Sequence, residues 1–306
     1  MNTSTQTIET QHTETLHDAI LDYYGKRLAT CSSDQTIKIF DVSSSGTQTL
    51  IETLRGHEGP VWQLSWAHPK FGNILASAGY DGKVIVWREQ NHQWSKLTEH
   101  AIHSASVNSV SWAPHESGAV LACASADGKV SILEFREDGS WDTKSFVAHA
   151  LGVNAISWAP STVAGSLIST VGNAPGANSV KRFVTGGCDN VLKIWAFDAA
   201  QATWLEETTL EGHTDWVRDV SWANNIGLPK SYIASGSQDK TVVIWTQIEG
   251  QSWVKTLLRD EPFSDTIWKV SWSESGNLLA VSCGDGKVYI YKETGKTWQE
   301  INQVTS

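Results

Sequence analysis

A segment that ends in aspartate recurs six times along the chain, and this repetition limits the folds open to it. Each segment begins with an apolar residue six positions before its aspartate, and an aromatic residue or leucine stands six positions after it. Successive aspartates are separated by 47, 46, 62, 50 and 46 residues. Periods of this size are typical of repeat architectures, in which each unit packs on its neighbours. The aspartates are Asp34, Asp81, Asp127, Asp189, Asp239 and Asp285.

A second landmark precedes each aspartate. In four repeats a histidine stands nine residues before a tryptophan, whereas the sixth repeat keeps Trp272 but has Phe263 in the histidine position. We assign His17 to the shorter first repeat. The runs between landmarks are short, apolar or alternating, and broken by turn signals, which predicts an all-β fold with about four strands per repeat. The histidine and tryptophan pairs are His57 and Trp66, His103 and Trp112, His149 and Trp158, and His213 and Trp222.

The repeats divide the chain into a short tail and one domain. Residues 1–15 are polar and contain no Lys or Arg, so they lack the features of a signal or transit peptide, and we expect a disordered tail. No stretch is apolar enough to cross a membrane. The Gly/Ser/Pro-rich segment 161–179 is expected to be an exposed loop inserted in the fourth repeat. We expect a single six-bladed domain over 16–301, with blades at about 16–54, 55–99, 100–147, 148–210, 211–258 and 259–301.

Composition excludes several classes of binding function. The chain has sixteen Trp and one Met, and every Trp falls in repeat register, which favours packing between sheets over a ligand cage. A formal charge of −10 argues against nucleic acid or an anionic membrane surface as the main partner, so we expect any membrane contact to be indirect. The four cysteines show no metal-ligand or CxxC spacing and are expected to be free and buried.

No motif of catalysis or cofactor binding stands outside the repeat. His and Asp recur in repeat after repeat, which indicates a structural role, since an active site does not recur in this way. The Asp-Gly-Lys triplets that begin at 81, 127 and 285 predict type I′ hairpin turns, which are not phosphate-binding loops. Nucleophile elbows and zinc spacings are absent from the sequence. The sequence therefore predicts a protein that is not an enzyme and holds no cofactor or metal.

The landmarks resemble the WD repeat, the blade of a β-propeller. Residues 56–87, GHEGPVWQLSWAHPKFGNILASAGYDGKVIVW, are a near-complete example, and the resemblance covers residue 17 to about residue 300. It implies a buried relay in each blade, in which a His, a strand hydroxyl, an Asp and a Trp are hydrogen-bonded. Repeats one, three and six lack the Trp or the His, so we expect incomplete relays there. The implied relay residues are His57, Asp81 and Trp87; His149, Asp189 and Trp195; and His213, Asp239 and Trp245.

Longer phrases resemble a narrower family, the small propeller subunit of the COPII outer coat. That family is an open six-bladed propeller into which a large partner inserts a seventh blade. The resemblance implies a rod-forming outer-coat partner on vesicles leaving the endoplasmic reticulum, an α-solenoid nucleoporin of the Y-shaped nuclear pore scaffold, and a TOR-pathway regulatory complex at the vacuolar or lysosomal surface. The phrases include HDAILDYYGKRLATCSSDQTIKIF (17–40), HSASVNSVSWAPHESG (103–118) and LEGHTDWVRDVSW (210–222).

The ends of the repeat array point to a place for that partner. The first and last repeats each contain four strands of their own, so no strand is left over to lock a ring. Either six blades close tightly, or the ring stays open and exposes apolar faces of blades one and six, where a partner can add strands. The candidate interface residues are Leu21, Tyr23, Leu28, Ile37, Ile39, Val270, Leu279, Val281, Val288 and Ile290.

Two other functions remain open at this stage. One is a sister propeller confined to the nuclear pore scaffold, which shares phrases in its first blade. The other is a closed adaptor in signalling or ubiquitin ligation that binds peptides on its top surface. The residues that would line such a surface are Trp62, Trp216, Arg218 and Trp268.

Overall fold

The fold is all-β, and its unit is a four-stranded antiparallel sheet. The computed structural model describes residues 8–43, 47–162, 180–225, 229–248, 250–295 and 297–305. In each of the six sheets, hereafter blades 1 to 6, the strands lie side by side in chain order. This arrangement confirms the predicted propeller of six four-stranded blades. The chain divides into two compact units, residues 1–145 and 146–306, which we call the N-terminal and C-terminal units.

The N-terminal unit contains blades 1 to 3, and its boundary at Ser145 falls within the last strand of blade 3. Its two short 3₁₀ helices, Pro69–Phe71 and His115–Ser117, follow the first strands of blades 2 and 3. The strands are β1 Leu16–Leu21, β2 Arg27–Ser32, β3 Thr36–Val42 and β4 Gln48–Arg55 in blade 1; β5 Val61–Trp66, β6 Ile74–Gly79, β7 Val84–Gln90 and β8 Gln93–His100 in blade 2; and β9 Val107–Trp112, β10 Val120–Ser125, β11 Lys129–Phe135 and β12 Trp141–Val147 in blade 3.

The C-terminal unit contains blades 4 to 6. Its strands are β13 Val153–Trp158, β14 Arg182–Gly187, β15 Val191–Asp198 and β16 Thr203–Glu211 in blade 4; β17 Val217–Trp222, β18 Lys230–Ser237, β19 Val242–Ile248 and β20 Val254–Leu257 in blade 5; and β21 Ile267–Trp272, β22 Leu278–Cys283, β23 Lys287–Thr294 and β24 Thr297–Thr305 in blade 6. The last strand thus extends beyond the predicted end at residue 301. Apart from 161 and 162, the predicted insertion 161–179 lies outside the described residues.

The turn between the second and third strands of a blade explains why an aspartate recurs there. Asp81 accepts a hydrogen bond from the backbone N–H of Lys83, two residues on, and Gly82 has φ 75°. Only the residue after the aspartate is left-handed, so the predicted type I′ turn, which needs two such residues, is wrong. The Gly82 N–H donates to the Gly79 carbonyl, and Gly82 is the left-handed residue that ends the turn.

Apolar clusters join consecutive blades within each unit, and successive residues of a strand point to opposite neighbours. In blade 2, Leu75 and Ile85 pack on blade 1, whereas Ala76 and Val86 pack on blade 3. In blade 5 the same alternation directs Val243 to blade 4 and Val242 to blade 6. Each of these two middle blades therefore presents one face to the blade before it and one face to the blade after it.

The N-terminal segment contacts blade 1. Residues 1–7 lie outside the described part of the chain, but Thr13 donates its backbone N–H to the Asp34 carboxylate. Ser33 donates its N–H to the Thr15 carbonyl, at 2.9 Å. The predicted tail therefore ended too late, because these backbone contacts tie the chain to blade 1 before residue 16. Among the described residues, no helix has the length and apolar character needed to cross a membrane.

Candidate functional site

Blade 2 contains a complete relay of the kind that the sequence implied. The His57 Nδ1 lies 3.0 Å from the Asp81 carboxylate, and its Nε2 lies 2.8 Å from the Ser77 hydroxyl. Trp87 donates its indole N–H to the same hydroxyl at 2.9 Å. Four side chains from a loop, a turn and two strands are thereby held in one buried network, whose polar groups satisfy one another.

The same network recurs in blades 4 and 5. In blade 4, His149 lies 2.8 Å from Asp189 and 2.8 Å from the Thr185 hydroxyl, to which Trp195 donates at 3.0 Å. The corresponding distances in blade 5 are 3.0 Å for His213–Asp239, 2.8 Å for His213–Ser235 and 2.9 Å for Trp245–Ser235.

Blades 3 and 6 carry altered networks. In blade 3, Cys123 takes the place of the strand hydroxyl, and His103 instead reaches the Ser131 hydroxyl on the neighbouring strand at 2.8 Å. In blade 6, Phe263 replaces the histidine and packs edge-on against Tyr289, whose hydroxyl donates to Asp285 at 3.0 Å.

The histidine of blade 1 is His12, which corrects the assignment of His17. The His12 Nδ1 lies 2.8 Å from Asp34, and its Nε2 lies 2.9 Å from the Thr30 hydroxyl. His17 contacts the Ser33 hydroxyl and packs against Trp62 with ring centroids 4.4 Å apart. The sequence held a usable signal, because His12 precedes the first strand of its blade by four residues, as His57 does in blade 2.

The relays keep their carboxylates charged. Burial alone raises the pKa of Asp81, but the hydrogen bond from His57 and those from backbone N–H groups outweigh it and hold the pKa below its usual value. Asp189 and Asp239 follow the same pattern, with burial opposed by His149 and His213 respectively. The recurring histidine and aspartate are therefore explained as structural groups.

Five of the ten predicted interface residues face neighbouring blades of their own unit. Ile37 and Ile39 belong to the cluster between blades 1 and 2, and Val270, Leu279 and Val281 belong to the cluster between blades 5 and 6. The prediction that these five meet a partner is corrected, since they are already buried in these clusters. The sequence did not reveal this, because apolar residues occupy both faces of these strands.

The other five residues lie on different surfaces. Leu21 and Tyr23, at the end of β1 and in the turn after it, are 57% and 68% exposed. Leu28 alternates with Ala29, which packs on blade 2, so the Leu28 side chain points away from blade 2. It is buried nonetheless. Val288 and Ile290 alternate with Tyr289 and Tyr291 on β23, so they point away from blade 5, and both are half-buried.

Blade 6 therefore has one covered face and one partly uncovered face. Along β22, the residues that face blade 5 are buried and those between them are half-buried, a period-two pattern. Leu278 and Ala280 on this strand join Val288 and Ile290 on the partly uncovered face, which we call the outer face of blade 6. The sequence analysis missed Leu278 and Ala280, although their alternation with Leu279 and Val281 was a signal for them.

Three of the four top-surface residues lie at irregularities of the first strands, and Trp216 immediately precedes β17. Pairing shifts register at Trp62, at Arg218 and at Trp268, so each occupies a β-bulge. Trp62 donates its indole N–H to the Ser106 hydroxyl at 2.8 Å. Arg218 lies over the rings of Trp216 and Trp268. Within the described ranges, no group of three or more His, Cys, Asp or Glu side chains is placed to hold a metal ion.

Comparison with known proteins adds the family. The family description "WD domain, G-beta repeat" matches residues 3–41, 48–88, 94–133, 204–246 and 254–292. The chain is 65% identical over 300 residues to protein transport protein sec13 of Schizosaccharomyces pombe, covering 98% of this chain and 99% of that protein. It is 58% identical to protein transport protein SEC13 of Yarrowia lipolytica, covering 97% and 99%. With the SEC13 of Chaetomium thermophilum the identity is 61%, covering 96% and 94%.

The family matches include His12, the relay histidine of the first repeat, and they leave residues 134–203, which hold most of blade 4, unmatched. The three relatives cover nearly the whole chain. They confirm the resemblance drawn from the sequence, and they agree with the prediction that the chain is not an enzyme. The chain belongs to the WD-repeat family and, within it, to the family of the protein transport protein Sec13.

Proposed function

We propose that this chain is a structural subunit of the COPII outer coat, which accepts strands from a larger rod-forming partner during transport from the endoplasmic reticulum to the Golgi. The relatives named above are protein transport proteins, which supports the general role. The observation that carries the finer proposal is the outer face of blade 6, where Leu278, Ala280, Val288 and Ile290 are apolar or small and not fully covered.

The energetics of such a face favour strand donation. A sheet face of alternating apolar residues is covered by another sheet at about 10 Å, and burial is favourable by roughly 25 cal/mol per Å² of apolar surface. A complete partner blade on this face gives an interface of roughly 2,000 Å² or more, the range of obligate complexes. The partner then becomes the seventh blade, and the complex is long-lived.

The chain's own contribution is rigidity. Within the described residues, three complete relays and four apolar clusters fix the blades of the two units. A partner rod that ends in such a blade is stiffened where it joins the propeller, which supports a cage that bends a membrane. In this proposal the membrane contact is indirect, through the partner, at the cytoplasmic face of the endoplasmic reticulum and on its vesicles.

The same face can serve other strand donors. We include an α-solenoid nucleoporin of the nuclear pore scaffold and a TOR-pathway regulatory complex at the vacuolar or lysosomal surface as further partners, because the resemblance drawn from the sequence implies them. In this proposal each of them supplies strands to the same face. A sister propeller confined to the nuclear pore is the alternative. Two relatives, at 65% and 61% identity over nearly the full length of this chain, are protein transport proteins. They favour the proposed coat subunit over that alternative.

Affinity purification with a matched pair of variants tests the proposal. Val288→Asp places a charge on the outer face of blade 6, whereas Val254→Asp places one on β20 of blade 5, at a side chain that is 59% exposed. We expect the tagged wild-type chain and Val254→Asp to retain a large partner at one-to-one stoichiometry in high salt, and Val288→Asp to lose it. Equal retention by both variants, at equal folded content by circular dichroism, contradicts strand donation at this face.

A further inference from the structure

Hydrogen bonds between first strands join neighbouring blades within each unit. In blade 1, the Asp18 carboxylate accepts the backbone N–H of Leu64 in blade 2 at 3.1 Å. In blade 5, the Asp219 carboxylate accepts the N–H of Val270 in blade 6 at 2.9 Å. Both aspartates are 7% exposed. A side-chain acceptor on one blade thus satisfies a buried N–H of the next blade.

These acceptors occupy one position of the repeat, six residues after the relay histidine, which we call the clip position. Blade 2 follows the same rule, because the Gln63 side-chain oxygen accepts the N–H of Val110 in blade 3 at 2.8 Å. Blade 4 has Ala155 there, and the Ser157 hydroxyl, two residues later, accepts the Trp222 N–H of blade 5 at 3.0 Å. The clip residues of blades 1 to 6, counted in blade 6 from Phe263, are Asp18, Gln63, Ser109, Ala155, Asp219 and Lys269.

Blade 6 reverses the chemistry of the clip position. Lys269 pairs with Ser282 of β22 directly after a register shift. Asp219 pairs with Gly236 in the same way in blade 5, so the two clip residues occupy equivalent places in their sheets. Carboxylate and amide oxygens accept hydrogen bonds, whereas a lysine ammonium only donates them. Lys269 therefore cannot receive a backbone N–H from a following blade, as Asp219 does.

Lys269 belongs to the outer face of blade 6. It is half-buried and alternates along β21 with Val270, which packs on blade 5, so the two side chains point to opposite sides of the sheet. Cross-strand pairing places Lys269, Ser282 and Val288 in one row. Residues directly opposite one another in antiparallel strands share a face. A cationic first strand therefore adjoins the apolar residues that we propose to receive partner strands.

The positive charge determines what a partner strand can present at this position. A partner blade that covers the outer face removes water from the ammonium, and burying a charge is costly unless an opposite charge accepts its hydrogen bonds. In the arrangement found between blades 5 and 6, an N–H of the next blade points at the clip residue, and at Lys269 this would set a donor against a donor. A carboxylate on the partner strand is favoured, and a strand that presents only its backbone N–H is disfavoured.

We propose that Lys269 selects the partner at the outer face of blade 6, by pairing with one Asp or Glu side chain of the partner strand that lies along β21. This inference rests on the proposed function, because it requires a strand donor at that face, and it adds the chemistry of the donor's adjoining strand. The pair fixes the register of that strand against β21. It also rejects strands that copy the ordinary repeat, including those of a second copy of this chain.

Lys269→Asp, which places the residue of blades 1 and 5 in blade 6, tests the polarity of the pair. Under the purification conditions used for Val288→Asp, we expect tagged Lys269→Asp to retain at least about tenfold less partner than the wild type, because a carboxylate then faces a carboxylate. Lys255→Asp, on the exposed strand β20 of blade 5, is the matched control and should retain the partner. Melting temperatures equal to that of the wild type show that both variants are folded. Equal or greater retention by Lys269→Asp would mean that the partner presents an N–H, and would overturn the proposal.

Carbodiimide cross-linking of the purified complex identifies the group opposite the lysine. The reagent joins a lysine amine to a carboxylate as an amide, with loss of water, so mass spectrometry should find Lys269 joined to an Asp or Glu of the partner. Lys269→Arg should retain the partner but lose this cross-link, because a guanidinium keeps the positive charge and does not form the amide.

The outcomes separate this inference from strand donation itself. If the wild type retains a partner and Val288→Asp loses it, while Lys269 is joined to no acidic residue of that partner, strand donation stands and the proposed pair is overturned. If the wild type retains no large partner, both fall. Loss of the partner by Val288→Asp and Lys269→Asp, together with the cross-link, supports both.

Discussion

Blades 5 and 6 adjoin in the same unit and share a strand order, but they are held together differently. Blade 5 links His213, Ser235, Asp239 and Trp245 in a buried hydrogen-bonded relay. Blade 6 has no relay histidine, and its aspartate is held by Ser264, Tyr289 and a backbone N–H. In the place of the relay, Phe263 packs against Tyr289 and Tyr291, with ring centroids 5.2 and 6.4 Å away.

The two blades also differ in how they are covered. The five residues Ile233–Ser237 of β18 are all buried, because blades 4 and 6 lie on its two sides. Along β22 of blade 6, buried and half-buried residues alternate. The repeat therefore specifies a blade that is covered by a neighbour on each face. Blade 6 departs from it, because aromatic side chains replace its relay and one of its faces is left partly open.

The largest expected difference concerns the aspartates. Asp239→Ala in blade 5 leaves His213 buried without its carboxylate, which should lower the free energy of unfolding by about 3 kcal/mol. Asp285→Ala in blade 6 removes a more exposed group with three hydrogen bonds and should cost about 1 kcal/mol or less. Urea denaturation followed by tryptophan fluorescence measures both. Equal losses would show that the two aspartates hold their blades in the same way.

A smaller difference is expected at a matched pair of valines. Val242 and Val288 each stand three residues after the blade aspartate, but Val242 is 1% exposed and packs on blade 6, whereas Val288 is half-buried on the outer face. Val242→Ala should cost about 2 kcal/mol, and Val288→Ala about 0.5 kcal/mol in the free chain. Thermal melting of the two variants measures the gap. If Val288→Ala proves equally costly, the outer face is already fully packed and strand donation there is contradicted.

The smallest effect is the pH dependence of the relay. The pKa of Asp239 is lowered in the folded chain, because the His213 hydrogen bond and others outweigh the effect of burial. Its stabilisation is therefore present above the unfolded pKa of about 3.9 and is lost as the pH falls toward the folded pKa. The stability gap between the wild type and Asp239→Asn should narrow on acidification from pH about 5. A constant gap in urea denaturation across this range would mean that the carboxylate charge contributes nothing.

The pKa of Asp285 tests the same contrast. Hydrogen bonds, first that of Ser264, lower this pKa to about 2, although blade 6 lacks the relay histidine. The difference in free energy of unfolding between the wild type and Asp285→Asn should therefore also become smaller below pH about 4. The two variants together show whether a histidine is needed for the effect or whether hydroxyl donors suffice.

Sequence reasoning found the repeat but placed one landmark wrongly. His17, which precedes the first apolar run, was assigned to the shorter first repeat. Leu21 stands there where the other repeats have a strand tryptophan, so the distance from histidine to tryptophan gives no measure in that repeat. Distance from the start of the strand identifies His12 instead. The relay positions of blades 2, 4 and 5 were accessible because all their landmarks are present in the sequence, even in blade 4, where 40 residues separate His149 from Asp189.

The sequence by itself determined six four-stranded blades and the positions of the aspartate turns, and its resemblance to the WD repeat implied the relay residues of the complete repeats. The blades and turns follow from the spacing of landmarks within one repeat, since each blade and its turn are built from residues of a single repeat. Only the tertiary structure decided which of the predicted interface residues pack on neighbouring blades and which do not. In strands that are apolar on both faces, alternation gives two equivalent sets of side chains, and only the contacts with neighbouring blades assign each set to a face.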